Sequence, residues 1–149
     1  MNPNRALPDQ TGCETYEPLR ILVVDDSAVS RKLAEYAFQG KPYDVSFAEN
    51  ARQALDLIAK HDPDIVITDW IMPDLSGIEL CQVIRHKLRR KDIFLMLMTS
   101  NSAEGERTLG MAAGADSYIT KPLQSDRLFA EIHMARAIIK ARREYCGKS

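Results

Sequence analysis

The sequence predicts a doubly wound α/β fold, a parallel sheet of five strands with helices on both faces. Three observations carry this expectation. Short apolar runs recur five times, each followed by a segment with helical periodicity, at a spacing of roughly 20–25 residues. The central runs are apolar along their whole length, as strands covered on both faces must be. The residues that close these runs are Asp, Thr, Ser and Lys, and right-handed crossovers bring the ends of parallel strands to one edge.

The elements follow in order. Residues 1–18 hold Pro3, Pro8 and Pro18 without apolar periodicity, and are expected to form a flexible tail. Leu19–Val24 is the first strand, closed by Asp25-Asp26. Ser27 then caps a helix with Val29, Leu33 and Ala37 facing inward, and Gly40 ends it. Tyr43–Ala48 is the second strand. Asn50 caps a second helix with Ala54, Leu55 and Ile58 inward, and Pro63 stops it after His61. Residues 64–68 form the third strand, closed by Asp69. Pro73, Asp74, Ser76 and Gly77 mark a loop before a helix with Ile78, Cys81, Val83 and Ile84 inward. The cationic stretch 85–91 reads as its solvated end, the alternative being a patch for a partner. Residues 93–98 form the fourth strand, with Met96 and Met98 in the core, closed by Thr99 and Ser100. A helix rich in small residues follows over 103–113. Gly105 and Gly110 each cost it about 1 kcal/mol against Ala, so a loose helix is expected. Residues 118–120 are the last strand, closed by Lys121-Pro122. The final helix starts near Ser125 and runs toward Tyr145.

Composition narrows the function classes. The chain has 149 residues, enough for one domain that needs no disulfide or metal staple. Its 45% hydrophobic and 28% charged residues exclude collagen and wholesale disorder. The longest apolar run, residues 93–98, is too short to cross a bilayer. No apolar signal core precedes Leu19, so a cytoplasmic chain with no membrane partner is expected. The net charge of −1 gives no basic footprint for nucleic acid. Residues 136–149 nonetheless hold five basic side chains against one acidic. Cys13, Cys81 and Cys146 have no metal-ligand spacing and read as reduced thiols. His61, His86 and His133 stand on no motif and read as surface residues, and Trp70 as a partly exposed packing residue.

The strand ends carry the chemistry. Asp25, Asp26 and Asp69 repel one another if they share an edge. A hard divalent cation removes that penalty, and Mg²⁺ favours one or two carboxylates plus water and phosphate oxygens. Lys121 adds a point charge and Thr99 a hydroxyl, so a phosphoryl group bound among them would be neutralised on several sides. A carboxylate can itself be the nucleophile. Asp69, the lone Asp on a central strand, is the candidate.

Residues 19 to about 137 resemble a bacterial two-component receiver domain. The matching strings are ILVVDDS (21–27), ITDWIMPDLSG (67–77), MTS (98–100) and AGADSYITKP (113–122). The resemblance implies a flavodoxin-like (βα)5 sheet in the order 2-1-3-4-5. It implies that Asp69 is phosphorylated from a phosphohistidine on a sensor histidine kinase or phosphotransfer protein. It implies Mg²⁺, or Mn²⁺ in its place, held directly by Asp26, Asp69 and the carbonyl of Ile71, and by Asp25 through water. Lys121 would pair with a phosphoryl oxygen, and the Lys121–Pro122 bond would be cis. Thr99 and Tyr118 would be the switch pair, altering the surface of the fourth helix, fifth strand and fifth helix for a partner or a second copy. Turnover is then limited to self-phosphorylation and self-dephosphorylation. Rival readings are a phosphorylation-independent interaction module and an aspartate-nucleophile phosphatase of the haloacid dehalogenase type. The latter places an Asp-x-Asp pair on one strand, whereas Asp69 has Ile71 two places on. Many relatives carry a polar residue where Ile71 stands.

The last helix carries two apolar stripes. Leu128, Ile132, Ala135 and Ile139 face the sheet, and Met134, Ile138, Ala141 and Tyr145 form a rotated second stripe. Residues 138–149 are expected to be a helical extension or linker beyond the receiver over 19–137, suited to self-association or to an output domain.

Overall fold

The computed structural model describes residues 18–100 and 104–146. The expected tail, apart from Pro18, and Cys13 lie outside them. Five parallel strands, β1 (Leu19–Val24), β2 (Tyr43–Ala48), β3 (Ile65–Asp69), β4 (Phe94–Thr99) and β5 (Ser117–Thr120), form one sheet in the order β2-β1-β3-β4-β5. The helices are α1 (Ala28–Phe38), α2 (Ala51–His61), α3 (Gly77–Gln82), α4 (Glu104–Ala112) and α5 (Ser125–Cys146). α3 continues into a wider π-helical turn, Val83–Lys87.

Alternate side chains of each strand serve opposite cores. Leu22, Val24, Val66, Leu95 and Leu97 pack with Ala54 and Ile58 of α2 and Leu80 and Cys81 of α3. Ile21, Val23, Ile67, Met96 and Met98 pack with Ala34 and Phe38 of α1 and Leu128, Ile132, Ala135 and Ile139 of α5. The sheet is thus covered on both faces, which explains why its central strands carry no alternating polar residues. Ser27 accepts from the Ser30 amide at 3.2 Å and Asn50 from the Gln53 amide at 2.8 Å, so both expected N-caps form. Met96 and Met98 are buried as expected. His61, His86 and His133 are exposed.

Three expectations need correction. In α1, Val29 and Leu33 are 70% and 56% exposed, and the buried face is Ala34 and Phe38. The Phe38 ring sets this phase. It packs edge-on against Tyr43 and Phe129, at centroid distances of 5.9 and 5.5 Å. An aromatic ring buries more area than Leu, so the helix turns to seat it.

The stretch 85–91 is not uniformly solvated. The Arg85 side chain is 13% exposed and donates to Asp116 Oδ2 (2.7 Å) and to the carbonyls of Arg90 (2.8 Å), Ile93 (2.8 Å) and Gly114 (3.0 Å). The π-helical turn and the left-handed Arg89 (φ 56°) bring the chain end back toward the sheet, where this guanidinium collects its carbonyls. Burial pulls the Arg85 pKa down and Asp116 opposes the change.

Gly110 also has a packing role that its helix propensity did not suggest. It is buried, and a Cβ there would stand 2.6 Å from Leu97 Cδ1. The missing side chain lets α4 approach the sheet.

Among the described residues, no helix is long and apolar enough to cross a membrane.

Candidate phosphoacceptor site

The register places the strand ends level. Val24 pairs with Thr68, Asp69 with Met98, and Thr99 with Thr120. The residues that follow or close these strands therefore meet at one edge, as the crossover rule requires. Asp25, Asp26 and Asp69 can each offer a carboxylate oxygen, all within 4.8 Å of one another.

Each acid is held differently. Asp25 is 1% exposed. Its Oδ1 accepts from the Ser27 amide at 3.0 Å and its Oδ2 from Lys121 Nζ at 3.0 Å. Arg31 reaches back from α1 and donates to the Asp25 carbonyl at 2.8 Å, which ties the loop to the helix it starts. Asp26 is exposed. The Asp69 side chain is 14% exposed and accepts from Lys121 Nζ at 3.1 Å.

The loop after Asp69 closes on itself. The Trp70 amide donates to the Met98 carbonyl (2.9 Å) and the Gly77 amide to the Trp70 carbonyl (2.8 Å). Ser76 and Glu79 form a capping box that starts α3 at once. A Cβ on Gly77 would stand 2.2 Å from the Asp69 carbonyl oxygen. Only glycine lets the start of α3 lie this close to the strand end.

Electrostatics follow from this packing. Burial pushes the Asp69 pKa up, the Asp25 charge adds to the rise, and Lys121 opposes it. For Lys121 burial acts downward, but the hydrogen bonds to Asp25 and Asp69 outweigh it and the pKa rises. Lys121 thus stays charged and offsets one of three carboxylates. The remaining two negative charges match a divalent cation, and the donor set is all oxygen, with neither thiol nor imidazole. A hard ion such as Mg²⁺ fits that set.

The other expected site residues stand on β4, on β5 and on the loops that follow β3 and β5. Thr99, at the end of β4, is 4% exposed, and its carbonyl accepts from the Lys121 amide at 2.8 Å. Tyr118 is 7% exposed. The Lys121–Pro122 peptide is cis. Ile71 is 75% exposed at the lip of the site. Trp70 is half-buried against the core of the α2 and α3 face. Beside Asp25 and Lys121 lies a hollow of about 280 Å³, walled by Leu33, Met98, Pro122 and Leu123. Neither the Arg31 strap nor the Gly77 contact was anticipated from sequence. The one available signal was the position of Gly77 at the end of the Asp69 string.

Comparison with known proteins agrees with this geometry. The family model "Response regulator receiver domain" matches residues 21–133. The response regulator MprA of Mycolicibacterium vanbaalenii is 37% identical over 123 residues, covering 83% of this chain and 51% of that protein. The phosphate regulon transcriptional regulatory protein PhoB of Pseudomonas aeruginosa is 36% identical over 112 residues, covering 75% and 49%. The chain therefore spans about half the length of the curated relatives it matches. Among solved structures, the chemotaxis protein CheY4 of Vibrio cholerae superposes with a TM-score of 0.74 at 26% identity, covering 79% of this chain and 98% of that one. A CheY-like receiver domain protein from Methanospirillum hungatei gives 0.76 at 26% identity, covering 85% and 99%. With the family model spanning most of the chain and the acid cluster at the carboxyl edge of the sheet, this chain belongs to the response regulator receiver family of two-component systems.

Proposed function

We propose that the domain is a Mg²⁺-dependent phosphoacceptor whose nucleophile is Asp69. The convergence of Asp25, Asp26, Asp69 and Lys121 on one edge carries this reading. An Asp69 oxygen attacks the phosphorus of a phosphohistidine on a sensor kinase or phosphotransfer protein. The new P–O bond replaces the P–N bond, and the imidazole leaves with its electron pair. A bound Mg²⁺, or Mn²⁺, supplies charge neutralisation for the phosphoryl oxygens. Asp26, Asp69 and the Ile71 carbonyl are its proposed direct ligands, with Asp25 acting through water. Lys121 orients and neutralises one phosphoryl oxygen. The hollow beside Asp25 and Lys121 and the exposed Val29 and Leu33 of α1 offer apolar footing for the donor protein.

Thr99 and Tyr118 are the proposed switch pair. A hydrogen bond from Thr99 to the phosphoryl group favours one arrangement of the α4, β5 and α5 surface over another. That surface exposes Leu109 (61%), Met111 (49%) and Met134 (51%). It is the proposed docking face for an output partner or a second copy, with residues 138–149 as a connector. The proposed compartment is the cytoplasm, where the kinase domains that supply phosphohistidine act.

The test is intact mass after incubation with acetyl phosphate. One added phosphoryl group is expected with Mg²⁺ and none with a chelator or in Asp69→Asn. Incorporation that survives in Asp69→Asn overturns the assignment.

Ile71 sets a second expectation. An exposed apolar side chain beside the nucleophile gives a hydrolytic water no hydrogen bond. The phosphorylated form of Ile71→Asn is therefore expected to decay faster than wild type. Equal half-lives, followed by phosphate release, would remove this role from Ile71.

A further inference from the structure

The cationic stretch 85–91 has a second part that the phosphoacceptor chemistry does not use. It lies at the amino edge of the sheet, opposite Asp69. Arg85 and Arg90 are committed to Asp116, Asp62 and Asp92. Arg89 and Lys91 are exposed and, among the described residues, make no hydrogen bond or ion pair. They border an open cleft of about 500 Å³, whose remaining cations are Arg20, Arg142 and Arg143. Arg142 and Arg143 are themselves paired with acids behind the cleft, Asp116 and Asp64. With these acids and with Arg85 and Arg90 included, seven cations (Arg20, Arg85, Arg89, Arg90, Lys91, Arg142 and Arg143) stand against four carboxylates (Asp62, Asp64, Asp92 and Asp116).

Two further observations argue that this is more than cations placed to suit helix dipoles. Arg89 has φ 56°, just past the end of a helix, where glycine is the residue of least strain. An arginine there costs backbone energy and, among the described residues, gains no hydrogen bond or ion pair in return. Arg20 Nε is buried without an acceptor, leaving a donor unsatisfied beside the cleft.

We propose that this cleft binds the diphosphate or triphosphate group of a small anion of nucleotide size. The chemistry selects that class. The guanidinium fork of Arg89 suits phosphate oxygens, and Arg20, Arg142 and Arg143 add positive field while paired with Asp62, Asp116 and Asp64. The excess of three positive charges matches a group carrying about three negative ones. A cleft of about 500 Å³ has the size of a small-molecule site. Bound there, the anion would bridge the loop after α3 to the last turns of α5. It would do so through hydrogen bonds from Arg89 and Lys91 on one side and the positive field of the paired Arg142 and Arg143 on the other.

The test is calorimetric titration of the whole chain with inorganic triphosphate, and separately with ATP, in the presence of a chelator. The chelator keeps metal, and hence phosphate, away from Asp69. Saturable one-to-one binding that weakens with added salt is expected. Arg89→Gly combined with Lys91→Ala is expected to weaken it at least about tenfold, through loss of charge-assisted hydrogen bonds. Arg89→Gly relieves the left-handed strain, so it is expected to melt no lower than wild type while binding less. Lys121→Ala, at the opposite edge, should bind as wild type does. Equal affinity for triphosphate and ATP identifies the phosphate chain as the whole determinant, and tighter ATP binding identifies a nucleotide. The proposal is overturned by any of three results. These are the absence of saturable heat, unchanged binding in the double variant, and binding to a polyanionic duplex with no response to triphosphate.

Discussion

Asp116→Ala is expected to destabilise the domain by roughly 3–5 kcal/mol, the range for a buried ion pair that loses one partner. Asp116 stands just before β5, with a side chain 15% exposed. Its Oδ2 accepts from Arg85 Nη2 (2.7 Å), the Leu95 amide (2.8 Å) and Arg142 Nη1 (3.2 Å), and its Oδ1 accepts from Arg142 Nη2. Removing the carboxylate leaves two guanidinium groups facing each other without a counter-charge. It also removes the acceptor of the Leu95 amide, at the second residue of β4. Water cannot fully repair this, because Arg85 is held in place by three backbone carbonyls. Urea denaturation measures the loss. Asp116→Asn should cost less, since the amide oxygen still accepts from Leu95 while the charge is gone. A loss within about 0.5 kcal/mol, the range typical of a plain surface position, would mean that the cluster contributes little to the fold.

The same carboxylate shows where sequence reasoning stops. Asp116 lies within the string that carried the family resemblance, yet its partners Arg85 and Arg142 lie 31 and 26 positions away. Nothing local in 85–91 separates Arg85, which is largely buried and paired, from Arg89, which is exposed and, among the described residues, makes no hydrogen bond or ion pair. The difference arises from the π-helical turn and the reversal at Arg89, which are tertiary in origin. The strands and the acid cluster were legible for the opposite reason. Fully apolar strands have one reading in a chain with this alternation. A parallel sheet then delivers Asp25, Asp26, Asp69, Thr99 and Lys121 to one edge without knowledge of any side-chain contact. α1 falls between these cases. Its periodicity was plain but its phase was not, because the Phe38 ring is seated by Tyr43 and Phe129 from two other elements. Gly110 and Gly77 were legible as residues but not as contacts. A propensity scale records what glycine costs a helix, not the approach of a neighbour that glycine permits.

Gly77→Ala is expected to lower stability by about 1–3 kcal/mol, the usual cost of overpacking, and to slow phosphorylation by on the order of a hundredfold. The added Cβ would meet the Asp69 carbonyl oxygen at 2.2 Å and Leu97 Cδ2 at 3.0 Å. The side chain of Leu97 can rotate away, but the Asp69 carbonyl belongs to the strand that carries the nucleophile. Escape by the other partner is also resisted. The Ser76–Glu79 capping box and the Gly77 amide bond to the Trp70 carbonyl hold the start of α3 in place. The Asp69 peptide must therefore yield, and with it the carboxylate that lies 3.1 Å from Lys121 Nζ. A misplacement of about 1 Å is enough for the rate loss stated. Gly110→Ala is the control, because there the one close contact of the Cβ is a Leu97 methyl, at 2.6 Å, while Trp70 Cζ3 (3.5 Å) and Ile78 Cδ1 (3.9 Å) lie at ordinary van der Waals distance. Repacking of the flexible Leu97 side chain should keep the phosphorylation rate near wild type even if some stability is lost. Comparing the two variants by urea denaturation and by the initial rate with acetyl phosphate separates a general packing defect from a displaced nucleophile. If both variants slow phosphorylation equally, the close approach of α3 to Asp69 has no special part in positioning it.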